Sequence, residues 1–435
     1  MPFAGMLLSI ALLPLLAPRV WHGHFAKITA AWTLVMAVPF VSVFTWRAAH
    51  QLVEVALVDY VPFLILIATL FTIGGGIYLR GTLRGTPATN GMILLTGTLL
   101  ASWVGTTGAA MVFIRPLLRA NRSRRYRAHT VVFFIFLVAN IGGALTPLGD
   151  PPLFLGFLHG VPFTWTFSLW PHMATAAALV LGIYLILDTI QWRRESPAVR
   201  AAREAPEPLR IDGAHNIALL VGVIAAVIAS GSLDLGEIHV LGVELGIANI
   251  VRDFVLVALL VVSWRTTAAS VRAANEYSWA PIREVAILFA GIFATMIPAI
   301  AMLRAGENGA MAFIVRDVSS PAHFYWASGL LSSFLDNAPT YVTFVATALG
   351  RMYPGVDASV AIGKLIHENA IYLEAISVGS VFMGANTYIG NAPNFMVKSI
   401  AEEAGVPMPS FFGYVFRYSL LVLIPVFALI TVLFF

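Results

Sequence analysis

The sequence predicts an all-α polytopic membrane protein built as an inverted repeat, with two re-entrant hairpins and two broken helices. Three observations point there. The 435 residues are 59% hydrophobic and only 11% charged, with mean hydropathy +0.85; a soluble domain carries about 25% charge. The apolar runs are long and continuous, unlike the alternating segments of a membrane β-barrel. And one phrase occurs twice, as Gly143-Ala-Leu-Thr-Pro-Leu-Gly-Asp-Pro-Pro152 and as Gly384-Ala-Asn-Thr-Tyr-Ile-Gly-Asn-Ala-Pro393.

Crossing the hydrocarbon core takes about 20 apolar residues. On that measure spans are expected near 3–17, 26–44, 60–79, 130–158, 168–189, 212–231, 248–264, 284–303, 374–402 and 411–435. The run Met6–Leu16 is short, but it lacks the basic start and the cleavage site of a signal peptide. His22-Gly-His24 is read as a short cytoplasmic loop. The spans 130–158 and 374–402 carry the repeated phrase, whose Gly and Pro residues break a helix.

Two further stretches, 90–118 and 324–349, are interrupted by Trp103-Val-Gly-Thr-Thr-Gly-Ala-Ala110 and by Phe334-Leu-Asp-Asn-Ala-Pro-Thr340. Each half is too short to span, so both stretches are expected to be re-entrant hairpins with the break at the tip. Irregular backbone at that depth must be buried in protein or line a wet cavity. Leu99–Thr106 aligns with Leu330–Asn337, so hairpin followed by broken helix occurs twice, in the same order. The expected halves are 1–190 and 212–435, joined by a basic linker at 191–211.

Arginine placement sets orientation. Arg80, Arg84, the run Arg119–Arg127, the linker residues Arg193, Arg194, Arg200, Arg203 and Arg210, and Arg265, Arg272 and Arg283 fall on one face of this topology. That face is expected to be cytoplasmic in a cell (inner) membrane, with the N-terminus external. The loop 232–246, with three acids and no Lys or Arg, is then external. The two hairpins enter from opposite sides. The Arg119–Arg127 run reads as a solvated loop touching anionic lipid, with no nucleic-acid role, and Arg115 as snorkelling to the same face. Gly74-Gly-Gly76 reads as a site of close helix packing. Without a cysteine, disulfides and thiolate metal sites are excluded.

The chemistry gathers at the breaks, where backbone N–H and C=O groups lose their helical partners. Gly143, Gly149, Gly384 and Gly390 make the interruptions. The candidate binding side chains are Thr106, Thr107, Thr146, Asp150, Asp336, Asn337, Asn386, Thr387 and Asn391. Their hydroxyl, amide and carboxylate oxygens suit a hard cation. Asp150 and Asp336 are carboxylates in mid-membrane segments with no Lys or Arg in either motif, and an intramembrane acid is a functional hypothesis by default. They are the candidate Na⁺ ligands. The competing reading makes Asp150 a helix N-cap and Asp336 a hairpin-tip cap. The Thr and Asn residues then serve broken backbone. A membrane-embedded hydrolase needs a nucleophile–base pair or a metal triad at one depth, and neither is present in the pattern. A channel would conduct without coupling.

At these motifs the chain resembles the ion transporter superfamily, in its branch of NhaD-type sodium/proton antiporters and citrate transporters. Asn140–Pro152 is similar to the antiporters' GG–TP–GD phrase, and Ser333–Thr340 to their DN–P tip. The resemblance covers about residues 60–430. It implies scaffold and transport domains, a homodimer and an elevator-like motion. Sodium/dicarboxylate symporters of the superfamily carry Ser-Asn-Thr at both tips. This chain has Gly105-Thr-Thr107 and Asp336-Asn-Ala338 instead. The expectation is a secondary transporter exchanging Na⁺ for H⁺ at Asp150, with no cofactor and no enzymatic activity. The alternative is a citrate or other organic-anion transporter coupled to a cation.

Overall fold

The computed structural model describes residues 2–201 and 207–435. It is an all-α polytopic membrane protein. Among the described residues seven helices are long and apolar enough to cross a membrane: Gly23–Phe44, Trp46–Gly74, Phe163–Arg194, His215–Ser232, Ile247–Thr266, Ala280–Arg304 and Phe411–Phe434. The expected boundaries are displaced where polarity hides a helix. The third span starts at Trp46 rather than 60, because Arg47, His50, Gln51 and Glu54 make its first turns amphipathic. It stops at Gly74, and Tyr78–Arg80 is a strand. The expected loop at 22–24 lies inside the helix Pro18–Phe44; the turn comes at Ala17, ahead of a proline at the first helical position. The first helix, Pro2–Leu16, has only 15 residues.

Two small antiparallel ladders add to the helices. Tyr78–Arg80 pairs with Arg210–Asp212 and ties the end of the linker to the first half. Glu237–Val240 pairs with Val243–Gly246 inside the acidic loop. Its two-residue turn, Leu241-Gly242, has φ of 54° and 84°, the double positive φ that matches strand twist in a tight hairpin.

The basic segments gather at one end of the molecule; in the run Arg119–Arg127 the side chains of Arg119, Arg122 and Arg125 are exposed as expected, and Arg124 is the exception. Arg124 is 3% exposed and pairs with Asp188 on the helix Trp170–Arg194, where Asn90, His129 and Tyr184 also meet that carboxylate. Arg115 does not snorkel. It is buried and pairs with Glu276 at 2.7 Å, because the segment after Ala269–Ala274 folds back over it. Asn275 donates to the carbonyls of Gly75 and Ile77, closing the same end. In the linker the helix continues to Arg194 and Pro197–Ala201 is helical; Arg203 lies outside the described residues.

Packing links the helices into two neighbourhoods, which meet where Ala280–Arg304 lies on Asn337–Met352 and Trp46–Gly74 on Thr106–Ala120. Pro2–Leu16 and Pro18–Phe44 lie on Ala280–Arg304, while Trp46–Gly74 lies on Ile247–Thr266. The hairpins, the broken helices and the helix Trp170–Arg194 form the other neighbourhood. Its centre holds the segments buried all round, residues 129–144 and 375–388, as apolarity on every face requires. The Gly74–Gly76 triplet permits close contact between the two: a Cβ on Gly74 would stand 3.1 Å from Gly108 Cα.

Candidate functional site

The first hairpin consists of Pro87–Val104 and Thr106–Ala120, packed together and joined at Gly105. Gly105 has φ +77°, ψ 148°, a backbone state that costs other residues dearly. Thr86 caps the first arm through Thr89 N–H. The break that follows separates Ala128–Leu137 from Pro151–Leu158. It is stitched to the hairpin tip by hydrogen bonds. Thr106 N–H donates to Gly149 O at 2.9 Å. Thr146 Oγ1 donates to Ser102 O and accepts from Leu148 N–H. Ser102 Oγ donates to Gly142 O and accepts from Leu145 N–H.

The second unit repeats the threonine and serine links. Its arms are Pro321–Ser332 and Asn337–Met352, and its break separates Ala370–Met383 from Ala392–Glu403. Thr387 Oγ1 donates to Ser333 O and accepts from Ile389 N–H. Ser333 Oγ donates to Met383 O at 3.0 Å and accepts from Asn386 Nδ2 at 2.9 Å. The glycines match too. A Cβ on Gly149 would fall 2.1 Å from Gly143 O, and one on Gly390 would fall 2.2 Å from Gly384 O. Each break thus closes on a carbonyl where only hydrogen fits.

The two units also interlock. The arm Asn337–Met352 packs on Pro151–Leu158, and the arm Thr106–Ala120 packs on Ala392–Glu403. Asn140, in the first break, accepts from Asn391 Nδ2 and donates to Asn394 Oδ1, both at 2.7 Å.

Asp150 stands where these parts meet. It is 2% exposed. Thr106 Oγ1 donates to its Oδ1 at 3.1 Å, and Asn337 Nδ2 donates to its Oδ2. Thr106 and Asn337 are the aligned residues of the two hairpin tips, so both tips grip one carboxylate. Asp150 occupies the N-cap position of Pro151–Leu158, yet its side chain caps nothing. Pro151 and Pro152 have no N–H to offer, and Leu153 N–H goes to Asp150's own carbonyl. The carboxylate is therefore free for other partners. Both donors are neutral, and a buried carboxylate without a cationic partner is costly.

The remaining expected residues take distinct places. Asp336 is half-buried and caps Asn337–Met352 through Ala338 N–H at 3.1 Å. Its neighbour in the chain, Asn337, is the residue that reaches Asp150. Asn391 caps Ala392–Glu403 through Asn394 N–H. The Thr146 and Thr387 hydroxyls serve the broken backbone. Asn386 and Asn337 each keep a buried Oδ1 without a hydrogen-bond partner. A cavity of about 40 Å³ lies against Thr106, Thr107, Gly149 and Asp150, closed on its far side by Phe63, Leu66 and Leu70 of the third helix. None of its lining residues is basic.

Sequence reading missed Ser102, Ser333, Asn140 and Asn394. The serines occupy aligned places in the hairpin repeat, a signal that was present but not used. Asn140 and Asn394 lie outside the repeat correspondence, and only contact between the halves selects them.

Among curated proteins the chain is similar to two uncharacterized transporters, from Mycobacterium bovis and Mycobacterium tuberculosis. Each is 26% identical over 344 residues, covering 75% of this chain and 72% of the relative. A family model described as "Putative citrate transport" matches residues 1–435. With that match over its whole length, the chain belongs to this transporter family, a part of the ion transporter superfamily.

Proposed function

We propose that this secondary transporter exchanges Na⁺ for H⁺ at Asp150. The observation that carries the reading is the convergence of Thr106 and Asn337, one from each hairpin tip, on the two oxygens of a buried carboxylate that neither caps a helix nor faces a cation. Such a group is carried through a low-dielectric barrier far more cheaply when neutralised. A proton or a Na⁺ can each neutralise it, and each excludes the other. Oxygen donors for the cation are at hand in Asp150 and Thr106, with Asp336 and the unpartnered Asn337 Oδ1 as further candidates. The cavity between Asp150 and the third helix borders the carboxylate and the Thr106 hydroxyl, where an entering ion would meet both.

In this scheme the hairpin-and-break group moves as a unit against the wall formed by the third helix. The paired hydrogen bonds of the two units support an inverted repeat with re-entrant hairpins, and the gathering of arginines at one end supports a cytoplasmic face there. An inner-membrane location and a homodimer complete the proposal.

The second reading, citrate or another organic anion coupled to a cation, is favoured by the family description. Asp150 would then hold the coupling cation. The test is dissipation of a preset pH gradient in proteoliposomes or everted vesicles, adding Na⁺, Li⁺, K⁺ or citrate in turn. Na⁺-dependent proton movement without citrate is the expected result. Na⁺-driven citrate uptake with no Na⁺/H⁺ exchange would replace the first reading by the second.

A further inference from the structure

A second cleft opens at the basic end of the molecule, between the helix Trp170–Arg194 and the last helix, Phe411–Phe434. It encloses about 680 Å³. Its rim carries Arg125, Arg127 and Arg417, and no Asp or Glu lines it. Its wall is apolar. Ile186, Ile190 and Leu421 line it and are 66%, 45% and 69% exposed, on helices that are otherwise spans. A basic rim over an apolar trough that opens sideways has the chemistry of a lipid head group above its acyl chains.

The rim is held in place rather than floating. On either side of Arg125 the loop is pinned: Arg124 to Asp188, Tyr126 N–H to Glu195 at 2.9 Å, and Arg127 to the carbonyl of Gly405 at 2.8 Å. Arg125 itself stays exposed. Across the cleft the last helix widens into a π-helical stretch over Val415–Leu423. Arg417, Tyr418, Leu421 and Val422 all line the cleft from that stretch. Such widenings often mark functional sites.

We propose that this cleft binds an anionic phospholipid, its phosphate held by Arg125, Arg127 and Arg417 and its acyl chains lying along Ile186, Ile190 and Leu421. The cleft shares no lining residue with the cavity at Asp150 and is independent of the ion carried. The test uses the purified full-length protein in detergent with equimolar phosphatidylglycerol and phosphatidylcholine, the bound lipids being counted by native mass spectrometry. The unmodified protein is expected to retain phosphatidylglycerol selectively. The R125Q/R417Q pair should weaken that preference about 30-fold, each arginine near an anionic head group contributing about a factor of five. R125K/R417K should keep it, separating lost charge from lost fold. R122Q/R200Q, which removes two exposed arginines outside the cleft, should also keep it. Equal losses in R125Q/R417Q and R122Q/R200Q would overturn the site in favour of diffuse attraction. Full displacement of the lipid by inorganic phosphate would overturn it in favour of a small-anion site.

Discussion

The two breaks have one backbone and two chemistries. Each closes glycine on glycine, each sends a threonine hydroxyl to a serine carbonyl in its hairpin, and each restarts a helix behind a proline. At the matching position one has Asp150 and the other Asn391. Asn391 is a working cap, accepting from Asn394 N–H and holding Asn140 across the interface. Asp150 is excused from capping by the two prolines after it, and both hairpin tips turn to it instead. Duplicated architecture thus leaves one copy to hold the fold while the carboxylate of the other keeps no capping duty.

The sharpest way to break this comparison is Asp150→Asn, which makes the first break resemble the second. Size is kept and no cap is lost; Asn337 can turn its unpartnered Oδ1 to the new amide, and the protein should fold and purify normally. Na⁺-dependent proton release by the reconstituted variant should fall to background. Near-normal exchange would remove Asp150 from the ion site.

Next in size are the glycines. Gly149→Ala and Gly390→Ala each drive a methyl group onto a backbone carbonyl. Overpacking of this kind costs about 1–3 kcal/mol. Thermal unfolding in detergent should show comparable losses for the two, and a loss at only one would mean that the breaks are not equivalent.

Asn391→Ala removes a cap and leaves Asn140 short of a donor. Stability should drop by about 1–2 kcal/mol, with exchange retained per folded molecule. Loss of exchange at full stability would move ion chemistry into the second break as well.

The smallest effect is expected from Asp336→Asn. The amide can still cap Ala338 N–H, so folding persists. Removing the charge near Asp150 should shift apparent Na⁺ affinity or its pH dependence, read from exchange rates across a pH series. A variant matching the parent at every pH would reduce Asp336 to a hairpin-tip cap.

Much of this was legible in the sequence because breaking a buried helix leaves a conspicuous signature. Gly143, Gly149, Gly384 and Gly390 stand out from apolar runs, and repetition singles out their function. Boundaries were less legible where a helix is amphipathic. The turns at 46–59 carry enough polar side chains to pass for a loop, and only packing against Ala280–Arg304 shows them as helix. Arg115 and Arg124 misled for the opposite reason. A charge in a basic run looks solvated until the fold delivers Glu276 or Asp188 to it.

The sequence by itself determined the membrane class, the two breaks with their hairpins and the transporter superfamily, because each rests on local apolarity or on a repeated local pattern. Whether Asp150 caps its helix, which tip residues reach it, and that Asn140 clasps Asn391 and Asn394 were decided only by the tertiary structure. Those contacts join residues that are distant in the chain, and nothing in local composition ranks one buried oxygen above another until the two halves are packed together.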